Sequence, residues 1–468
     1  MEGLIGIKAK KKGAIITIVV VAVIAIAFGG MAAYQANHFN KGVAINGVNV
    51  GGLTASQAMS KLENGKLDNT VKVGDQVIYQ GKQTVSGVTA QDEPEVKAIL
   101  KKQFTLIPTS KAKNYNVSSN QNNQYRTTDL RNAVQQKLTA MNADRTPARD
   151  ACAVLKDGTV SVEKAKDGNQ YNVKAMMKEY DNQVNDDHID LKAIIAKPVT
   201  ESSQQVENEK TKLQDLANAT VDYEVENQDY NLPAKQMITS AKYVNGKYQI
   251  NSKALADKID QINKSQSTLG KKFNFKTSNG NTIQVQGKTY GWAIDTKSAV
   301  ASILKAYENG TKTVDAKNNI YGIGYNENGT GYGVTSNDGI GDTYAELSIA
   351  DQHAWFYRDG KLVDQVDVVT GNVQSHNDTP KGVYYIMYKQ SPSTLKGVGY
   401  NGQAYSCKVQ YWDQFTNDGC GFHDAWWRTN WAKDAYLTQG SDGCANIRPD
   451  QAGQVYNSLS VNEPVIVY

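Results

Sequence analysis

Cys444, in the segment Ser441-Asp442-Gly443-Cys444-Ala445-Asn446, can act as a nucleophile only if a base stands beside it. A free cysteine has a pKa of about 8.5, so useful thiolate at neutral pH needs a proton acceptor. The chain holds five histidines: His38, His188, His353, His376 and His423. His423 lies 21 positions before Cys444, inside Gly421-Phe422-His423-Asp424-Ala425-Trp426-Trp427-Arg428. Imidazole can take the thiol proton and later return it to a leaving amine. Gly443 allows a sharp turn before the nucleophile, which would point backbone N–H groups at an oxyanion. These residues compose a candidate Cys/His dyad for acyl transfer.

Four cysteines in 468 residues are too few for a disulfide-built scaffold. Cys407 and Cys420 are close enough to pair across a hairpin, although two free thiols fit equally well. Cys152 lies in an apolar run with Ala151, Ala153, Val154 and Leu155, which reads as core. Cys407, Cys420, His423 and Cys444 total one tetrahedral zinc set, but their spacing is not that of a structural knuckle, so no metal and no cofactor is expected. Trp412, Trp426 and Trp427 are bulky enough to be core, with at least one expected in a groove. His353 and His376 read as surface residues.

Lys8, Lys10, Lys11 and Lys12 precede an uncharged run from Gly13 to Ala33. About 20 apolar residues suffice to cross a bilayer as a helix, and basic flanks stay cytoplasmic. The run is long for a cleaved signal and its end is a poor cleavage site, so a single-pass anchor is the better reading. Residues 1–12 are then cytoplasmic, 13–33 span the membrane, and the rest lies outside the cell. With 51 basic against 47 acidic residues the chain is nearly balanced, and no basic block outside the tip suggests nucleic acid.

Beyond the anchor, Val43 to Thr54 reads as strand, turn, strand, with Thr54 and Gln57 forming a capping box ahead of Ala58, Met59 and Leu62. Related units recur at Tyr171-Asn172-Val173, Tyr248-Gln249-Ile250 and Trp292-Ala293-Ile294, each an aromatic, a β-branched residue and a helix start. Thr128 to Met141 and Val206 to Ala217 read as amphipathic helices. These features predict α+β modules over 42–198 and 199–317. A Gly/Asn-rich linker or irregular loop follows over 318–341, then a mostly β domain over 342–468. Its strands are expected at Tyr344–Ile349, Ala354–Tyr357, Val363–Val369 and Gly382–Tyr388. Asp359-Gly360 and Thr379-Pro380-Lys381-Gly382 would form turns, and one helix would follow Arg448-Pro449.

His423-Asp424-Ala425, fifteen further residues, then Ser441-x-Gly443-Cys444-x-Asn446 resembles the active-site signature of L,D-transpeptidases. Thr379-Pro380-x-Gly382 looks like that family's turn, Trp427-Arg428 follows the histidine at the expected places, and Pro464-Val465-Ile466-Val467 looks like its last strand. Asn46 to Thr54 and Thr289-Tyr290-Gly291-Trp292 look like segments of the peptidoglycan-binding repeats that precede this domain in Gram-positive enzymes. The resemblance implies a β-sandwich-like catalytic domain. It further implies that Cys444 forms a thioester with the third residue of a tetrapeptide stem, releasing D-alanine, and passes it to an amine of a neighbouring stem. His423 would be base and then acid, and the N–H groups of Gly443 and Cys444 the oxyanion site. Ser441 is the candidate to hold the histidine's second nitrogen. Trp427, Asn446, Asp442, Arg428 and Tyr411 would be supporting or groove residues. Partners would be peptidoglycan stem peptides and glycan, with carbapenems acylating the cysteine. One departure stands out: the family usually places His where this chain has Asp442. Two other outcomes follow from the same residues, an L,D-carboxypeptidase that releases the thioester to water and a wall-binding protein whose catalysis has decayed.

Overall fold

The computed structural model describes residues 3–117, 124–186, 188–399 and 402–468, with side chains from residue 17 onward. The lysines at 8 to 12 and the first residues of the expected span therefore lie outside the described side chains. The first helix, α1, runs Gly3–Asn37, and its stretch Thr17–Asn37 is long and apolar enough to cross a membrane. The chain divides into two compact units, one of residues 1–151 and 164–203, the other of 152–163 and 204–468.

In the first unit, Asn46 and Gly47 take positive φ (49° and 76°) and turn the strand Val43–Ile45 back onto Val48–Asn49. Two left-handed residues in a row give the turn twist that suits a tight hairpin. The Gln57 N–H then donates to Thr54 Oγ1 and the Thr54 N–H to Gln57 Oε1, closing the capping box before helix Ala55–Glu63, which buries Ala58, Met59 and Leu62. Asn172 caps Val173–Asn182 and Asp295 caps Thr296–Asn309 through the same type of side-chain bond. After Tyr248-Gln249-Ile250 the device differs, because Asn251 Oδ1, not Ser252, accepts from the Lys253 N–H. A second helix used below, α2, spans Glu93–Lys102.

The 152–163 hairpin leaves the surrounding chain and joins Ser240–Val244 and Lys247–Asn251 in a four-stranded sheet of the second unit. A division of the upstream region at residue 198 therefore does not describe this hairpin. Ala153 and Leu155 face the core while Cys152 faces the other side, 3.5 Å from Glu163 and 3.7 Å from Lys242. The expected burial of Cys152 fails because strand alternation, not the apolar run, decides which residues point inward. The Asn318–Gly341 passage is irregular but not loose. Tyr332 packs edge-on against the fully buried Trp292, ring centroids 4.9 Å apart, and its hydroxyl accepts from the Glu226 N–H.

The last domain is mostly β. Its strands are β1 Tyr344–Ser348, β2 His353–Arg358, β3 Lys361–Val369, β4 Gly382–Tyr385 and β5 Tyr388–Gln390. There follow β6 Ser393–Val398, β7 Ala404–Val409, β8 Trp412–Gln414, β9 Gly421–Asp424, β10 Ala445–Ile447 and β11 Pro464–Val467. Nine of them hydrogen-bond in the order β4-β11-β1-β2-β3-β10-β9-β8-β5, and β6 pairs with β7 as a separate hairpin. Asp359 and Gly360, at φ 49° and 75°, form the β2–β3 turn. A helix over Pro449–Ser458 follows Arg448.

Three strand spacings separate β2 from β9, about 14 Å in a flat sheet. Yet Phe356 on β2 and Phe422 on β9 lie 5.6 Å apart, centroid to centroid. The sheet thus folds over a single core, as the sandwich-like expectation requires. A further cluster joins Phe273, Phe275 and Val285 to Val383, Tyr385 and Ile466, so the hairpin over Lys272–Gln286 shares a core with the nine-stranded sheet. Phe422 is fully buried against Phe356 and Phe415. Phe422→Ala should lower unfolding free energy by about 3–5 kcal/mol, read as a shifted denaturant midpoint at unchanged slope.

Candidate active site

β9 and β10 run parallel, with Phe422 opposite Ala445 and His423 opposite Asn446. Phe422 and Ala445 enter the core, so His423 and Asn446 share the other face. Cys444 precedes β10 by one residue. Cys444, His423 and Asn446 line one cavity of about 530 Å³. One wall is the β6–β7 hairpin, through Leu395, Tyr405 and Cys407, and the other is the segment carrying Trp427, Arg428 and Asn430.

His423 is buried between Trp412 and Trp427, whose ring centroids lie 5.8 and 5.7 Å from its own. Its Nδ1 is 2.8 Å from the backbone carbonyl of Asp424. A carbonyl only accepts, so Nδ1 carries the proton and Nε2 is left as a base. The Asn446 amide donates to Nε2 at 3.1 Å, and Asn446 Oδ1 accepts from Arg428 Nε at 3.0 Å. Arg428 also donates to the Gln439 carbonyl, fixing the orientation of that amide. Burial lowers the His423 pKa, and the bond to the Asp424 carbonyl opposes the shift.

Burial also pushes the Cys444 thiol up, and nearby Cys420 adds to the shift; the Gly421 N–H pulls it down, while Asp442 raises it further. Cys444 is half-buried, and desolvation is the largest cause of the shift. The thiol donates to the Gly419 carbonyl at 3.7 Å. The resting pair is therefore neutral thiol and neutral imidazole.

The nucleophile loop is held by side chains on both sides. The Ser441 hydroxyl donates to the Cys444 carbonyl at 2.6 Å and accepts from the Gly443 N–H at 3.2 Å. Ser441 thus closes the turn instead of holding the histidine, a role taken by the Asp424 carbonyl. The same bond engages the Gly443 N–H, so only the Cys444 N–H of the expected oxyanion pair lacks that side-chain partner. Gly443 itself is at φ +111°, and a Cβ there would fall 2.7 Å from Cys420 Sγ. Thr379 Oγ1 donates to the Gly443 carbonyl at 2.8 Å and accepts from the Gly371 N–H at 3.0 Å. The Ser441 N–H donates to the Thr370 carbonyl.

Of the other expected residues, Trp427, Arg428 and the exposed Asp442 line the cavity, and Asn377 donates to Asp442 Oδ1 at 3.1 Å. Tyr411 does not: it packs on Tyr456 at the helix side of the core, and its N–H donates to Asp424 Oδ1. Cys407 and Cys420 are not bridged, since all four cysteines are free. Cys407 faces the cavity from the hairpin, while Cys420 is buried on the core side with its thiol pushed up to about 11 by burial. Trp412 is buried and Trp426 is exposed. The sequence places Thr379 only in a turn, and nothing in its spacing links it to Gly443. Thr379→Val keeps the shape but strips partners from two buried backbone groups. It should cost about 1–3 kcal/mol of stability and slow acylation of Cys444, with Thr379→Ser restoring both.

The family pattern of an L,D-transpeptidase catalytic domain matches residues 342–467, and that of a peptidoglycan binding domain matches residues 201–315. No curated protein matches the chain. The catalytic domain from Enterococcus faecium L,D-transpeptidase acylated by ertapenem, solved by NMR, is 35% identical over 27% of this chain and 97% of that one, with a TM-score of 0.25. The crystal structure of a cysteine-to-serine mutant of Enterococcus faecium L,D-transpeptidase is 26% identical over 55% of this chain and 98% of that one, with a TM-score of 0.44. L,D-transpeptidase 3 from Mycobacterium tuberculosis, in complex with a faropenem-derived adduct, is 23% identical over 27% of this chain and 60% of that one, with a TM-score of 0.23. By these two family matches the chain carries an L,D-transpeptidase catalytic domain over residues 342–467, preceded by a peptidoglycan-binding domain.

Proposed function

We propose that Cys444 is the nucleophile of a peptidoglycan crosslinking reaction. Cys444 Sγ attacks the peptide carbonyl between the third residue of a tetrapeptide stem and its terminal D-alanine, and His423 Nε2 takes the thiol proton. The carbonyl oxygen becomes an oxyanion facing the Cys444 N–H. As the tetrahedral adduct collapses, the C–N bond breaks, His423 protonates the departing amine, and a thioester remains. An amine of a neighbouring stem then attacks the thioester, forming the new peptide bond and returning the thiol. The observation that carries this reading is the single cavity shared by Cys444 and a buried His423 whose proton is fixed on Nδ1. Asn446 and Arg428 act as positioning residues for Nε2, and Trp427 as a wall of the groove.

The same reading extends to carbapenems, because the Enterococcus faecium catalytic domain, 35% identical, is acylated by ertapenem. We also propose that α1 anchors the chain in the cell membrane with the catalytic domain outside, since an unbroken helix through Asn37 exceeds a signal's apolar core. The peptidoglycan-binding domain over residues 201–315 would hold glycan or stem peptide.

Ertapenem should add its mass to the full chain, and Cys444→Ala should abolish the addition. With a disaccharide tetrapeptide, a crosslinked dimer is expected. Tripeptide without dimer, whatever the acceptor, would instead make the enzyme a carboxypeptidase, and no acylation at all would leave a wall-binding protein. The pH dependence follows from the direction of the His423 shift. An imidazole whose pKa lies below the ordinary value of about 6.5 stays neutral further into acid. Ertapenem acylation should therefore lose half its rate only below about pH 6.5. A midpoint at or above that value would contradict the buried neutral base.

A further inference from the structure

Asn40, three residues beyond the end of α1, is buried and gathers a loop from the far end of α2. Its amide nitrogen donates to the Gln103 carbonyl at 3.0 Å, to Gln103 Oε1 at 2.8 Å and to Thr105 Oγ1 at 3.0 Å. Asn40 Oδ1 accepts from the Thr109 N–H at 3.0 Å. Gln103 Nε2 reaches back to the His38 carbonyl. The chain beyond is held as tightly: a Cβ on Gly42 would lie 2.4 Å from the Lys111 carbonyl oxygen. The loop between Gln103 and Lys111 is thus fastened to the point where α1 ends.

This loop wears its polarity inside out. Gln103 and Thr105 turn inward to Asn40, while Phe104, Leu106 and Ile107 are 43%, 52% and 65% exposed. Three large apolar side chains in four positions on water, with Gln103 buried and Thr105 half-buried beneath them, mark a surface that meets something apolar. Lys101, Lys102 and Lys111 flank it, all exposed.

We infer that Phe104, Leu106 and Ile107 form a second membrane contact, seated in the headgroup region of the leaflet from which α1 emerges. The inference rests on the anchor reading of α1. With the span ending at Ala33, the last four residues of α1 rise about 6 Å, across a headgroup region about 5–7 Å deep on one side, and the three residues to Asn40 add at most about 10 Å, so a loop fastened there starts within reach of that region. Tyr34, on the last turn of α1, stacks on His38 just beyond its end, centroids 3.9 Å apart, and puts amphipathic rings in that region. Apolar side chains enter the boundary between headgroup and acyl chain while flanking lysines meet anionic phosphates, as for other interfacial segments.

The test uses the full chain in phosphatidylcholine–phosphatidylglycerol vesicles, with matched vesicles whose acyl chains carry bromine, a contact quencher of indole. Leu106→Trp adds one indole to the loop, and its emission is the difference from the parent chain. The added emission should be blue-shifted and more than half lost in brominated vesicles. Lys101→Glu with Lys102→Glu in the same variant should restore much of it. An added indole that emits as in water, escapes brominated lipid and is quenched by aqueous iodide would overturn the inference. So would a blue shift without lipid quenching that fades as protein in the vesicles is diluted, which would assign the patch to a second copy of the chain. Flotation separates the two readings: a chain that fails to float with vesicles removes the anchor and this contact together, and one that floats unquenched removes only the contact. Unchanged circular dichroism and ertapenem acylation certify folding, and Ile107→Trp serves should Leu106→Trp misfold.

Discussion

The site depends on one pairing, the parallel register of β9 and β10 that sets His423 beside Asn446. Side chains in a strand alternate with period two, so this register sends Phe422 and Ala445 to the core and turns the catalytic pair to the cavity. A slip of one residue would bury the base and expose the phenylalanine. Large burial on one face therefore fixes the chemistry on the other. β10 is also held from its second edge by β3, where Val368 faces Ile447 and Val369 faces Asn446. The nucleophile stands one residue before a strand clamped on both sides, and its loop needs only local bonds to finish the placement.

Those bonds have a common purpose. Ser441, Thr379 and the Thr370 carbonyl satisfy backbone groups of a turn that Gly443 forces out of regular structure. Left unpaired and buried, each such group would cost about 1–3 kcal/mol. The electrostatics point the same way, toward a neutral resting state: burial raises the thiol, burial lowers the imidazole, and Asp442 adds a carboxylate that disfavours thiolate. A thiolate–imidazolium pair stored at rest would need a wetter or more electropositive cavity. The proton is better moved as the bond forms, with Nε2 kept unprotonated by the carbonyl of Asp424.

Much of this was legible in the residues. Hairpin turns at Asn46-Gly47 and Asp359-Gly360, the Thr54 capping box, the first three strands of the last domain and the helix after Arg448 follow from local rules that tertiary structure did not override, whereas the strand expected over Gly382–Tyr388 ends at Tyr385. The Cys444/His423 pair was legible because few residue types can do its chemistry. What failed was orientation. The resemblance implies a hydroxyl or carbonyl on the histidine's second nitrogen and points to Ser441, but a hydroxyl two residues from Gly443 satisfies its own turn first. Tyr411 and Cys420 lie near the site in sequence and face the core in space. The apolar neighbours of Cys152 suggest core, but hydrophobicity of neighbours does not reveal strand phase. Thr379 was invisible for the opposite reason: it meets Gly443 across 64 positions, and no local pattern encodes that contact.

The upstream hairpin over Lys272–Gln286 bears on how the whole second unit works. β4 is an edge strand of the nine-stranded sheet, and an open edge invites pairing with other chains. Gly287 bridges Val383 in parallel, and the Lys288 N–H donates to the Val383 carbonyl at 2.9 Å. Below this seam, Phe273 and Phe275 share a core with Tyr385 and Ile466, and the buried Glu346 carboxylate accepts from the Ser278 N–H and hydroxyl. A tether would need none of this burial. The hairpin closes the edge of the catalytic sheet with a side-chain core and a paired carboxylate, so the segment before the catalytic domain is part of the scaffold that keeps β11 and β1 in register. Through β2 and β3 that same sheet carries the clamp on β10, and the position of the nucleophile is tied to residues more than 150 positions upstream.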